Sequence, residues 1–195
     1  MPIGLKLIMA LAIALVVVIV ALVIAAQMAR QRREHEQLRE AFGPEYNRTV
    51  AEYHNQGRAE GALQARQEHV KSLTIRPLTS DEQRQFAQTW RALQARFVDE
   101  PTRTIAEADQ LIADLMNTRG YPVQDFEQRA ADLSVNYPSI VQNYRAAHAT
   151  AQACARGEAS TEAARTAIIH YRSLFNELLE PVPTERTPSQ GIEVR

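Results

Sequence analysis

The feature that most constrains this 195-residue chain is an uninterrupted run of 20 apolar residues near its start, at positions 7–26. The run, LIMALAIALVVVIVALVIAA, contains no glycine, proline or charged residue. As a helix rising 1.5 Å per residue it would extend about 30 Å, the thickness of the hydrocarbon core of a bilayer. A helix also satisfies its own backbone hydrogen bonds, which lipid cannot do. The run therefore predicts an N-terminal transmembrane helix over residues 7–26, preceded by a short flank at 1–6.

A cleaved signal peptide is the alternative interpretation of the same run. Signal peptides have apolar cores of about 7–15 residues followed by a cleavage site of small residues. This run is longer, and Val23, Ile24 and Ala25 match such a site poorly. A retained anchor is therefore preferred, and a secreted or otherwise extracytoplasmic helical domain is the alternative.

The cations that flank the run predict its orientation. Lys6 precedes it, and three arginines follow it closely: Arg30, Arg32 and Arg33. Flanks that are rich in lysine and arginine stay in the cytoplasm. We therefore expect a single-pass protein whose partner is the lipid bilayer and whose larger, C-terminal part is cytoplasmic.

Residues 27–79 are predicted to form a basic helical connector, or stalk, beside the membrane, with nine cations and seven acids. Residues 27–42 are expected to extend the membrane helix. Gly43 and Pro44 should end that extension, because proline starts a helix but cannot continue one. A second helix is expected over residues 44–72, with sparse apolar positions that suit a stalk, a weak coiled coil or a helix packed on the soluble domain. Self-association or a protein partner at this connector is left open.

Beyond the connector, apolar spacing predicts a compact bundle of about five helices over residues 80–180. Ser80 and Gln83 have the spacing of a capping box at the first helix start. The first apolar stripe, at intervals of four, three and four, is Phe86, Trp90, Leu93 and Phe97. The other expected helix starts and ends are Pro101, Gly120, Val123, Pro138, Gly157 and Ser160.

Composition agrees with an all-α protein and argues against nucleic-acid binding. The net charge is −1, and residues 80–180 hold ten arginines against fourteen acidic residues. Binding to a phosphate backbone requires a basic surface, which this domain lacks.

Residues 181–195 contain three prolines and few apolar side chains, which predicts a disordered tail.

No motif in the chain identifies a reaction. A di-iron helical bundle requires glutamate three residues before histidine, and none of the five histidines has it. The His-Glu-x-x-His motif and the glycine-rich phosphate loops are also missing. The sequence therefore predicts no catalytic residue, no metal site and no cofactor.

One polar group inside the bundle is a candidate binding site. If the last two helices form an antiparallel hairpin that turns near Gly157, His148 and His170 lie within one helical turn of each other. Tyr144 and Arg145 would lie beside them. These four residues define a second functional hypothesis, a metal- or anion-binding or enzymatic bundle. The alternative is that each histidine is structural and hydrogen-bonded locally.

Five segments carry a resemblance: LREAFGPEYNRTV, IRPLTSDEQRQF, FVDEP, RGYPVQDFEQRAADLSVNYPSIVQNYRAAH and HYRSLFNELL. In them the chain resembles, over about residues 38–180, a family of bacterial proteins that join an N-terminal hydrophobic anchor to a soluble helical domain. The resemblance implies bacterial origin and membrane anchoring and brings no activity, ligand or residue role with it. The leading hypothesis is a membrane-anchored module for protein interaction or scaffolding.

Overall fold

A computed structural model describes residues 3–122 and 124–180 of the chain, and within them the regular structure is entirely helical. The eight helices are α1 (Ile3–Phe42), α2 (Pro44–Tyr53), α3 (Gln56–Ser72), α4 (Ser80–Arg96), α5 (Pro101–Arg119), α6 (Phe126–Asn136), α7 (Val141–Ala155) and α8 (Thr161–Leu179). The all-α prediction is confirmed. The predicted tail at 181–195 lies outside the described residues. The chain divides into two compact units, Met1–Ala41 and Phe42–Arg195.

Helix α1 continues through 40 residues to Phe42, and the first unit ends one residue earlier, at Ala41. The expectation that residues 27–42 extend the first helix is therefore confirmed. Among the residues that the structure describes, no helix is both long and apolar enough to cross a membrane. Within the apolar run, the side chains of residues 7–14, 16 and 17 lie outside that description. The transmembrane assignment of residues 7–26 stays a prediction.

The segment after α1 is a helical hairpin, and the single helix expected over residues 44–72 is wrong. Helix α2 ends where His54 adopts a left-handed conformation with φ of 50°. Asn55 then caps α3, since its side chain accepts a hydrogen bond from the Arg58 backbone N–H at 2.9 Å. A cap of this kind satisfies a backbone amide that has no partner within the helix. It therefore favours the start of a new helix over the continuation of α2.

The α2–α3 hairpin packs on the bundle. Helix α3 contacts α6, and α2 contacts α7. Four apolar side chains of the hairpin are buried: Tyr46, Ala59, Leu63 and Val70. Of the three roles that the sparse apolar positions allow, packing on the soluble domain is the one observed.

Helices α4–α8 form the bundle, so the predicted five helices over residues 80–180 are confirmed. Helix α8 packs mainly on α7 and α5. The Trp90 indole stacks on the Phe175 ring with centroids 4.7 Å apart. Gly120 ends α5 as predicted, with φ of 97°, and a Cβ there would collide with the Thr74 carbonyl. Ser160 caps α8 as predicted, since its hydroxyl accepts from the Ala163 N–H.

Two predicted helix starts are displaced. Helix α6 begins at Phe126, because the Asp125 side chain accepts a hydrogen bond from the Gln128 N–H and caps the helix there. The expected start at Val123 lies outside the described residues. Pro138 does not start α7, which begins at Val141 after a turn in which the Ile140 N–H binds the Tyr137 carbonyl.

The capping box of α4 lies one residue earlier than predicted. Thr79, not Ser80, is the N-cap, and its hydroxyl accepts from the Glu82 N–H while the Glu82 carboxylate accepts from the Thr79 N–H. The two terminal guanidinium nitrogens of Arg76, Nη1 and Nη2, also donate hydrogen bonds to the Glu82 carboxylate, at 2.8 and 2.7 Å. This bidentate contact fixes Glu82 in the capping position.

Replacing Trp90 by alanine should lower the free energy of unfolding by about 3–5 kcal/mol, because the change empties a large core site. Unfolding in urea followed by far-ultraviolet circular dichroism measures the change without relying on tryptophan fluorescence. Val98→Ala is the matched control, since the Val98 side chain is 85% exposed. Equal, small effects of both substitutions would contradict the core position of Trp90.

The Glu82 capping contact should make stability depend on pH. Hydrogen bonds, first from Arg76 and then from the Thr79 backbone, lower the pKa of Glu82 from 4.5 to about 2. Because the pKa of Glu82 is lower in the folded chain than in the unfolded chain, the contact stabilises the fold fully at pH values above the unfolded-state pKa. That stabilisation is lost as pH falls from about 4.5 to about 2. The difference in Tm between wild type and Glu82→Gln should therefore shrink over that range. A Tm difference that stays constant over that range would contradict the contribution of this contact.

Candidate functional site

His148, one of the residues predicted to form a binding site, is hydrogen-bonded to Asp109 on α5. The His148 Nδ1 lies 3.1 and 3.2 Å from the two Asp109 carboxylate oxygens. The Tyr171 hydroxyl donates to the same carboxylate at 3.0 Å. The imidazole stacks on the Phe126 ring, with centroids 3.7 Å apart and planes 6° apart. This cluster therefore joins α5, α6, α7 and α8.

The remaining predicted residues do not assemble around His148 in one site. Tyr144 is buried next to Phe126 and Tyr171, and burial raises its pKa to about 12. His170 is half-buried on α8 and makes no hydrogen bond or ion pair with the described residues. Within the described part of the chain, no group of three metal-ligating side chains could hold a metal ion.

Arg145 belongs to a different cluster, centred on a buried carboxylate. Its guanidinium binds the Glu45 Oε1 at 3.1 Å and the Glu127 Oε2 at 2.5 Å. Glu45 stands in the first turn of α2, directly after Pro44, and its side chain is only 1% exposed. A carboxylate in a first turn is favoured by the helix dipole. The contact joins residues 100 positions apart in the chain.

Two further arginines approach the same Glu45 oxygen. Arg48 on α2 lies 3.0 Å from it, and Arg66 on α3 lies 3.9 Å from it. Three guanidinium groups, from α2, α3 and α7, therefore share one buried carboxylate. We call Arg48, Arg66 and Arg145 the arginine triad.

The arginine triad carries more charge than its buried partner neutralises. The Arg66 and Arg145 side chains are 15% and 12% exposed, whereas Glu127 is 71% exposed. Water and salt screen exposed carboxylates, so these compensate buried cations less well than Glu45 does. Burial lowers the pKa of Arg66, and the charge of Arg145 lowers it further, while Glu45 acts in the opposite direction.

The arginine triad lines a cleft of about 610 Å³ between the α2–α3 hairpin and helices α6 and α7. Opposite walls come from α3, which contributes His69, and from α6, which contributes Gln128. Tyr53 stands at the end of α2 and is 41% exposed. The lining therefore combines three arginines with three exposed carboxylates, three alanines and one aromatic ring.

Asp132 of α6 lies behind the wall of the cleft. Its side chain is fully buried and accepts a hydrogen bond from Gln128 Nε2 at 2.7 Å, while His69 Nε2 lies 3.6 Å away. Burial raises the pKa of Asp132. Because Gln128 and His69 both line the cleft, Asp132 orients two of its polar groups.

Sequence reasoning identified only Arg145 among the residues of this cleft. Glu45, Arg66, His69 and Asp132 were not predicted, because no local spacing signals a contact across 100 residues. The one available signal was Glu45 itself, an acidic residue directly after a helix-starting proline in an otherwise basic connector.

No known protein family, curated protein or solved structure matches this chain. The resemblance to an anchored bacterial family therefore stays a prediction.

The Asp109 cluster should couple His148 and Tyr171 to bundle stability. Asp109→Ala leaves the buried Tyr171 hydroxyl without its acceptor and should lower the free energy of unfolding by about 1–3 kcal/mol. In a Tyr171→Phe background the same change should cost less, because that hydroxyl is already gone. Asp114→Ala, at an exposed position of the same helix, should change stability by less than about 0.5 kcal/mol. Purely additive effects of the Asp109 and Tyr171 changes would contradict the coupling.

Proposed function

We propose that this chain is a membrane-anchored helical module for protein interaction or scaffolding. In this proposal residues 7–26 cross the bacterial inner membrane, and the helices from α2 onward form a cytoplasmic binding domain. The observation that carries the proposal is the exposed apolar surface of α1.

The described large apolar side chains of α1 from Leu15 to Met28 are about half exposed or more, whereas Leu38 and Phe42 near the end of the helix are buried. Leu15 is 61% exposed, Leu22 64% and Met28 58%, with Val18, Ile19, Val20, Val23 and Ile24 between 48% and 53%. Exposed apolar surface of this extent is unfavourable in water and marks a site of contact with lipid or another protein. Twenty apolar residues without a charge suit the bilayer.

The flanking charges support the proposed orientation. Arg30, Arg32 and Arg33 lie on the exposed surface of α1, directly after the apolar run. In a cytoplasmic position they would lie at the headgroups, where each cation is attracted to anionic lipid by about 1 kcal/mol. Lys6 is the only side-chain cation before the run, so the count favours the C-terminal side as the cytoplasmic one.

The second unit supports a binding role. It has a well-packed core, a polar cleft and no sequence motif of a known catalytic class. A tethered domain of this kind acts by holding a partner at the membrane, where the local concentration of both is raised.

Lysine substitutions in α1 test the membrane anchor. Leu15→Lys with Leu22→Lys should release the chain from carbonate-washed membranes into the soluble fraction, since each lysine near a helix centre opposes insertion by about 2.5–3.5 kcal/mol. Gln27→Lys with Gln31→Lys adds the same charge to the same helix beyond the apolar run and should leave the chain in the membrane. Soluble wild-type protein would contradict the anchor.

Reporter fusions placed after Glu180 test the orientation. A cytoplasmic orientation predicts a fluorescent C-terminal reporter and no activity of a periplasmic phosphatase reporter. The opposite pattern would favour the extracytoplasmic domain.

In-cell cross-linking tests the interaction role, which predicts cross-linked species larger than the monomer. A strict monomer that recovers no partner in detergent would contradict this role.

A further inference from the structure

We propose that the cleft between the α2–α3 hairpin and helices α6 and α7 binds a soluble small molecule through its phosphate group, held by the arginine triad. The proposal goes beyond membrane anchoring and does not depend on it. It rests on charge, on the unused donors of the triad and on the size of the cleft.

The three arginines that converge in the cleft favour a ligand with an anionic group. Arg48, Arg66 and Arg145 bring three positive charges to one buried carboxylate, that of Glu45. Three more carboxylates line the cleft, those of Glu52, Asp125 and Glu127, and Glu127 pairs with Arg145 at 2.5 Å. All three are exposed, so water and salt screen them and they hold the arginines less strongly than Glu45 does. A phosphate monoester carries between one and two negative charges at neutral pH.

Arg66 has donors to spare for a ligand. Its described contacts are long: 3.4 Å from Nη1 to the Thr49 hydroxyl and 3.9 Å from the same nitrogen to Glu45. A guanidinium offers five N–H donors in a planar fork, which suits the bidentate binding of phosphate oxygens. Donors arriving from α2, α3 and α7 would surround an oxyanion from three directions.

The size and lining of the cleft favour a soluble ligand over a lipid. Its volume of about 610 Å³ is in the usual range for small-molecule sites, about 300–1,000 Å³. The walls around the triad also carry Tyr53, His69, Gln128, three alanines and the three exposed carboxylates. Acyl chains would need an apolar wall that these residues do not form.

The test is a titration of the full chain in an uncharged detergent with inorganic phosphate, at constant ionic strength set by chloride. The unfolding temperature is followed through the fluorescence of Trp90, the only tryptophan. Binding to the folded state should raise the Tm with a saturable dependence on phosphate. Sodium acetate over the same range should raise it much less, because a carboxylate carries one charge and two oxygens.

Matched substitutions on α3 locate the effect. Arg66→Gln should weaken the apparent affinity for phosphate by at least about tenfold, since a charge-assisted contact is lost. Arg58→Gln is the control, because Arg58 lies on the same helix, is exposed and does not line the cleft. Arg48→Gln, at a 39% exposed side chain, gives a second variant with little risk to folding and should also weaken binding.

Three results would overturn the proposal. The first is a Tm that phosphate does not raise, or raises without saturation. The second is an equal rise in Tm in Arg66→Gln, Arg48→Gln and wild type. The third is an equal rise in Tm with acetate. A fourth arm uses detergent micelles that contain phosphatidic acid, a phosphate monoester on a lipid. Stabilisation by that lipid without stabilisation by inorganic phosphate would overturn the assignment to a soluble ligand.

Discussion

The position of the α2–α3 hairpin on the bundle depends on one buried carboxylate, that of Glu45. Helices α2 and α3 have few apolar residues to bury, so apolar packing alone holds them weakly on the bundle. The ion pair between Glu45 and Arg145 joins the first turn of α2 to α7, at 3.1 Å and with both side chains nearly out of water. Removing one partner from a buried pair is strongly destabilising, because the other charge is left uncompensated. The carboxylate therefore fixes where the hairpin lies.

The cleft is a consequence of the same contact. Docking α2 and α3 beside α6 and α7 leaves a polar gap, and the arginines that neutralise Glu45 line it. Glu45 alone cannot balance three guanidinium groups, and the rest of the negative charge at the cleft comes from carboxylates that are exposed to water, those of Glu52, Asp125 and Glu127. Structure and proposed ligand chemistry thus follow from one interaction. The membrane anchor that we propose is separate and rests on the apolar residues of α1.

Local signals predicted the parts of the fold that local chemistry determines. Ser160 and Gly120 act at the ends of their own helices, through a side-chain cap and a left-handed backbone, and both were predicted. The break at His54 was missed because the sparse apolar spacing on either side is compatible with one continuous helix. The site was largely missed for a different reason. Glu45 and Arg145 meet only after the hairpin folds back on the bundle. The spacing of residues along the sequence does not indicate a contact between helices that are far apart in the chain.

Hydrogen exchange of the full chain, read by mass spectrometry, tests most directly whether Glu45 docks the hairpin. In Glu45→Gln, amides of α2 and α3 should exchange at least about tenfold faster than in wild type, while those of α5 and α8 keep their protection. Glu52→Gln makes the same change at a 52% exposed position of α2 and should leave the exchange of both helices unchanged. Unchanged protection of α2 and α3 in Glu45→Gln, or equal loss in Glu52→Gln, would contradict the account.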